Sequence, residues 1–153
     1  MGHYPHERSR QGRQHGRVQG KTKIAVVVRD DLATWQRLNV TAFLVSGIAA
    51  KYPETVGVDY EDASGQRYLP MFGLPVLVYL ADAEALRSAH RKALDRELGL
   101  SVYTEELFAT GNDVDNRAAV RAVPTEKLSL VGIGVYGPRN PVDKALKGLV
   151  LHP

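Results

Sequence analysis

Hydrophobic positions along the chain fall into short unbroken runs that alternate with stretches of helical spacing. The first run, Lys23-Ile-Ala-Val-Val-Val28, is rich in β-branched residues, the pattern of a strand covered on both faces, and Arg29-Asp30-Asp31 ends it. From Trp35 to about Ala50, Leu38, Ala42, Phe43, Val45, Ile48 and Ala49 recur at helical spacing, and Pro53 supplies a stop. Residues 58–62 and 66–69 flank Ala63-Ser64-Gly65 and predict a small β-hairpin whose glycine takes a positive φ. Residues 75–80 predict a second buried strand. Asp82 is placed to cap a helix with a stripe through Ala85, Leu86, Ala89, Ala93, Leu94 and Leu98, ending at a left-handed Gly99. Residues 100–103 form a third strand, 104–110 one or two helical turns, 115–123 a helix stopped by Pro124, and 128–136 a fourth strand. A last apolar run, Leu149-Val150-Leu151, closes the pattern.

Strand and helix alternate, which predicts an α/β fold, a three-layer α/β/α sandwich with helical crossovers between parallel strands. Ligands of such sheets bind beyond the carboxyl ends of the strands, where loops present unpaired N–H groups. That rule selects Arg29-Asp30-Asp31, Thr104-Glu105-Glu106 and the loop after Tyr136. A chain of 153 residues with 44% hydrophobic positions buries a full core as one domain, residues 22–153. Without a cysteine it has no thiol nucleophile, cysteine zinc site or disulfide, which fits a cytoplasmic location. No apolar run approaches the ~20 residues of a membrane span.

Charge divides the chain. Residues 1–21 hold Arg8, Arg10, Arg13, Arg17 and Lys21 against Glu7, a net charge of +4, while the remainder carries −1. So basic and apolar-poor a segment is expected to be a disordered arm or leader, and as an arm it offers weak, salt-sensitive contact with nucleic acid. His3, His6 and His15 lack metal-site spacing, and no metal or cofactor is expected.

Motifs for several chemistries are missing: no phosphate-binding loop, no dinucleotide fingerprint, no serine elbow and no paired-histidine zinc helix. Gly132 and Gly134 lie inside a predicted strand, where they admit a close neighbour. His90 and His152 are poorly placed as bases. Asp30 and Asp31 could cap the next helix or act beside Arg29, and Asn39 interrupts an apolar helix, where by spacing it faces solvent or, turned inward, needs partners or a ligand.

The ordered motifs resemble the type II peptidyl-tRNA hydrolase fold. The resemblance is carried by Lys23-Ile-Ala-Val-Val-Val-Arg-Asp-Asp-Leu32, Glu97-Leu-Gly-Leu100, Ile133-Gly-Val-Tyr-Gly-Pro138, Val142-Asp-Lys144 and Gly148-Leu-Val-Leu151. The hairpin and residues 111–127 look more like an uncharacterised branch, the domain of unknown function numbered 2000. This resemblance implies a mixed four-stranded sheet with its last strand antiparallel, and a homodimer. In the hydrolases the first helix carries a Lys and a Gln; at the matching positions here stand Leu38 or Asn39 and Ala42 or Phe43. Their acid and Thr, four residues apart, correspond to Glu106 and Thr110.

The combined expectation is a cleft that binds a small or aminoacyl-type ligand through Arg29, Asn39 and Lys144. Asp31, Glu106 and Thr110 are the candidates for hydrolytic or acyl-transfer chemistry with a carboxylate base. The alternatives are a divergent peptidyl-tRNA or other ester hydrolase, and a non-catalytic dimeric module using Trp35, Tyr68 and Phe72, residues that otherwise belong to core packing.

Overall fold

A computed structural model describes residues 21–153; the basic arm and its histidines lie outside the described residues. β1 (Thr22–Arg29) forms where the β-branched run is unbroken, and Ile24, Ala25, Val26, Val27 and Val28 are fully buried. Each such Val contributes about 1.5–3 kcal/mol on burial. α1 (Thr34–Lys51) follows, and its N-cap is Ala33, which makes no side-chain cap bond. The Ala33 N–H donates to Gln36 Oε1 at 2.9 Å instead. Neither Asp30 nor Asp31 caps this helix, because Leu32 turns into the core and the helix starts beyond it.

After a 3-10 turn (Pro53–Thr55), β2 (Tyr60–Glu61) and β3 (Arg67–Tyr68) make the exposed hairpin, with Gly65 at φ 81°. β4 (Val76–Ala81) pairs parallel to β1. Asp82 caps α2 (Ala83–Asp95), its Oδ1 accepting the Ala85 N–H at 2.8 Å. This helix stops before Leu98, and the left-handed residue is Glu97 (φ 55°), not Gly99. Gly99 opens β5 (Gly99–Thr104), where a Cβ would stand 2.5 Å from the Tyr52 hydroxyl, so a close approach and not a turn requires glycine there.

A 3-10 turn (Glu105–Phe108) leads to α3 (Asp113–Arg121), capped by Asn112, and another (Thr125–Lys127) leads to β6 (Leu130–Pro138). α4 (Arg139–Ala145) and β7 (Val150–Leu151) complete the chain. The mixed sheet has the order β5-β6-β1-β4-β7, with the hairpin as a separate pair. It contains five strands, one more than expected, because the last apolar run pairs antiparallel with β4. Two residues are too few for periodicity to reveal a strand. β6 runs antiparallel to both β1 and β5.

Helices cover both faces. Val40 and Leu44 of α1 pack over Val26 and Val28, while Leu86 and Ala89 of α2 and Val142 of α4 pack over Ala25 and Val27. α1 sits tightly on β6 because Gly132 and Gly134 face it. A Cβ at Gly132 would lie 2.7 Å from Val40, and one at Gly134 would overlap Ser101 Oγ. No helix among the described residues is long and apolar enough to cross a membrane.

Candidate functional site

Two regions are candidates, one polar and one largely apolar. The first is the rim where Arg29 stands opposite Ala81 and Thr104 opposite Leu130. Arg29 Nε donates to Asp31 Oδ1 at 2.6 Å, Nη2 to Glu105 Oε1 at 2.7 Å and Nη1 to the Leu130 carbonyl at 3.3 Å. Burial opposes its charge, but the bonds to Asp31 and then Glu105 prevail and push the guanidinium pKa up. Beside it Arg37 donates to the carbonyls of Leu32 at 3.1 Å and Asp30 at 2.6 Å, and its Nη1 lies 3.1 Å from His152 Nε2. The Ser129 hydroxyl donates to Glu106 at 2.9 Å, and the backbone amide of Glu106 together with that hydroxyl holds the carboxyl below its usual range.

The second region is a groove between α1 and the 105–121 segment, along β5. It consists of adjoining cavities of about 540 and 450 Å³ that share Phe43, Tyr103, Leu107, Asp113 and Asn116. Trp35, Asn39 and Phe43 recur at four-residue intervals, which puts them on one helix face. Trp35 meets Phe108 edge-on at 6.1 Å between centroids, Phe108 meets Tyr103 at 5.1 Å, and Tyr103 meets Phe43 at 5.9 Å. The chain has one Trp and three Phe, so this groove holds the Trp and two of the Phe. Trp35 and Phe43 are still 62% and 54% exposed, leaving apolar surface for a ligand. Burial pushes the Tyr103 phenol up, with the Asn39 amide acting weakly against it, so the hydroxyl stays protonated and able to donate. The Thr110 hydroxyl bonds the Leu107 carbonyl at 3.0 Å and the Asn116 side chain.

A family profile for proteins of unknown function, DUF2000, matches residues 22–153, nearly all of the described chain. The chain belongs to the DUF2000 family. Among solved structures, that of the protein of unknown function Atu0240 from Agrobacterium tumefaciens str. C58 is similar. It is 46% identical, with a TM-score of 0.84, over 87% of this chain and 98% of that one. No functionally curated protein matches.

In this DUF2000 protein the residues expected to share one cleft divide three ways. Asn39 and Thr110 line the groove together. Arg29, Asp31 and Glu106 stay at the rim, outside both cavity linings, with Arg29 bound to Asp31 and Glu106 bound to Ser129. Lys144 does not join either group. It is exposed on α4, which follows Pro138 at the opposite end of β1 from Arg29, because β6 returns antiparallel and carries the next helix to the far end. Its neighbour Asp143 there accepts from Lys23 at 2.7 Å, and Lys23 also reaches the Tyr79 hydroxyl at 2.8 Å. Groove residues that sequence reasoning missed are Tyr103, Phe108, Asn116, Arg117 and Arg121. The aromatic spacing of Trp35 and Phe43 around Asn39 was the available signal. Of the residues set aside for a dimeric module, Trp35 belongs to the groove and Tyr68 is exposed, bonded to Asp62 at 2.8 Å, while Phe72 is half-buried against the Ile24 cluster.

Proposed function

We propose that this DUF2000 protein binds a small or aminoacyl-type ligand in the groove between α1 and residues 105–121. The observation that carries the reading is the pairing of exposed aromatic surface, Trp35 and Phe43, with amides from two helices, Asn39 and Asn116, around one cavity. A site of several hundred Å³ with apolar walls and few convergent polar groups is the usual form of a small-molecule pocket. In this reading the ring or alkyl part of the ligand lies against Trp35, Phe43 and Phe108. Asn39, Thr110 and the Tyr103 hydroxyl meet its amide or ester. The hydrolase reading draws less support, since Glu106 is bonded to Ser129 outside the cavity lining. Thermal unfolding against a panel of N-acyl amino acids and their esters tests the proposal. A ligand at 100 times its Kd adds ~2.7 kcal/mol of stability, and that gain should vanish in Trp35→Ala and Asn39→Ala. A panel without effect, or an effect untouched by both variants, would overturn the reading.

A second reading, a homodimer, draws on the exposed apolar side chains of the hairpin region, Val58, Leu69 and Met71, at 86%, 84% and 61% exposure. Light scattering on the wild type and on Leu69→Glu decides it: a dimer that dissociates in the variant supports the reading, and a wild-type monomer contradicts it.

A further inference from the structure

The edge of the sheet along the groove narrows the kind of ligand the groove takes. β5 ends the strand order, so only its β6 side is paired. Main-chain N–H and C=O groups along a strand alternate between its two edges. Those of residues 99–103 that face away from β6 have no hydrogen-bond partner among the described residues. Ser101, Val102 and Tyr103 all line the larger cavity. Consecutive strand residues point to opposite faces, so a cavity touching all three lies against the open edge rather than above one face. Gly99, Leu100, Ser101 and Val102 are each partly exposed, in keeping with an uncovered edge. α1 walls the groove on one side, and α3, which has no buried residue, on the other. Charge marks one end. The charged residues of that lining are Asp113, Arg117 and Arg121, and Asp113 is already paired with Arg117 at 2.5 Å, which leaves a net positive site.

We infer that the groove takes a short acidic peptide in extended form, added to β5 as a further strand, with an apolar side chain against Phe43 and Leu107 and carboxylates at Arg117 and Arg121. The inference rests on the groove being a binding site, as proposed above, and commits it to one ligand class. Strand addition draws affinity from main-chain bonds and specificity from alternate side-chain pockets. Along α1 the distance from Trp35 to Ser46 is about 17 Å, the reach of roughly five extended residues. The chain's own first 21 residues, with a net charge of +4, have the wrong sign for this place.

The experiment is amide NMR with hydrogen exchange on the full chain, titrated with a capped hexapeptide of alternating glutamate and phenylalanine. Saturable binding should slow exchange at alternate amides of residues 99–103 by at least about tenfold. N-methylation of alternate peptide amides should weaken binding about tenfold, with no change to the protein. The double variant Arg117→Glu, Arg121→Glu should weaken it by at least that factor and reverse the sign of its salt dependence, since salt then screens a repulsion. Binding that leaves the β5 amides unprotected, or that ignores N-methylation, overturns strand addition. So does protection of those amides in the full chain before any peptide is added. If N-acyl amino acids shift groove resonances while the peptide does not, strand addition fails and the groove reading stands. If neither ligand shifts them, both fail.

Discussion

The rim around Arg29 and the groove beside β5 differ in residue type, charged against aromatic and amide, and in what those residues face. At the rim, Arg29 is bonded to Asp31, Glu105 and the Leu130 carbonyl, Arg37 to two carbonyls and His152, and Glu106 to Ser129. These charges tie the ends of β1, β5 and β6 and the start of α1 to one another. In the groove, Trp35 and Phe43 stay more than half exposed and the amides of Asn39 and Asn116 border open space. A polar residue at a strand end is therefore a weak pointer to function until its partners are known, and an aromatic residue left uncovered next to an amide is a stronger one.

The largest effects come from filling space, once in the closed core between α1 and β6 and once beside the open groove. Gly134→Val drives side-chain atoms into Ser101, Ile48 and Leu44, and should cost about 3 kcal/mol or prevent folding. Gly111→Ala beside the groove meets nothing within 4 Å and should change stability by less than about 0.5 kcal/mol. Urea unfolding measures both, and equal costs would remove the distinction between closed and open regions. Next in size is Arg29→Met. Its side chain is 15% exposed and joins three elements, while its acidic partners are largely exposed, so a loss of about 1–2 kcal/mol is expected without effect on groove binding.

Acid titration sharpens the contrast further. His90 is buried on α2, away from both regions, and burial lowers its pKa. A base whose folded pKa lies below its unfolded value of about 6.5 takes up protons more readily when unfolded, so stability present above that value is lost as pH falls below it. Glu106 at the rim is lowered as a carboxyl, so its contribution is present above about 4.3 and is lost as pH falls through its folded value. Stability measured from pH 7.5 to 3 should thus decline in two stages. His90→Gln should remove the first, Glu106→Gln should reduce the second, which it shares with Asp62, held low by the Tyr68 hydroxyl and the Gln66 N–H, and groove variants should shift neither. A single stage insensitive to His90→Gln contradicts this assignment. Trp35→Ala should cost no more than about 1 kcal/mol because the ring is mostly exposed, combined with complete loss of ligand response.

Much of the scaffold is legible in the sequence because its signals are local. The unbroken run 24–28, the Asp82 cap and the glycine pair in β6 each carry their meaning within a few residues. β7 is not legible, since a two-residue strand exists only through its partner β4. Nor is Lys144's position, which depends on β6 returning antiparallel and delivering α4 to the opposite end of β1. The groove is half legible. Trp35, Asn39 and Phe43 share a helix face by spacing alone, but Tyr103, Phe108 and Asn116 reach that face only through the path of the chain from β5 to α3.

Trp35 is the chain's one tryptophan and stands in the groove wall, so its emission reports directly on occupancy. Titrating the protein with N-acyl aromatic amino acids and with the acidic hexapeptide should give a saturable change in that emission, and the change should weaken about tenfold or more in both Asn39→Ala and Asn116→Ala. A flat response to every ligand, or equal saturation in wild type and both variants, would contradict the assignment of this groove as the binding site.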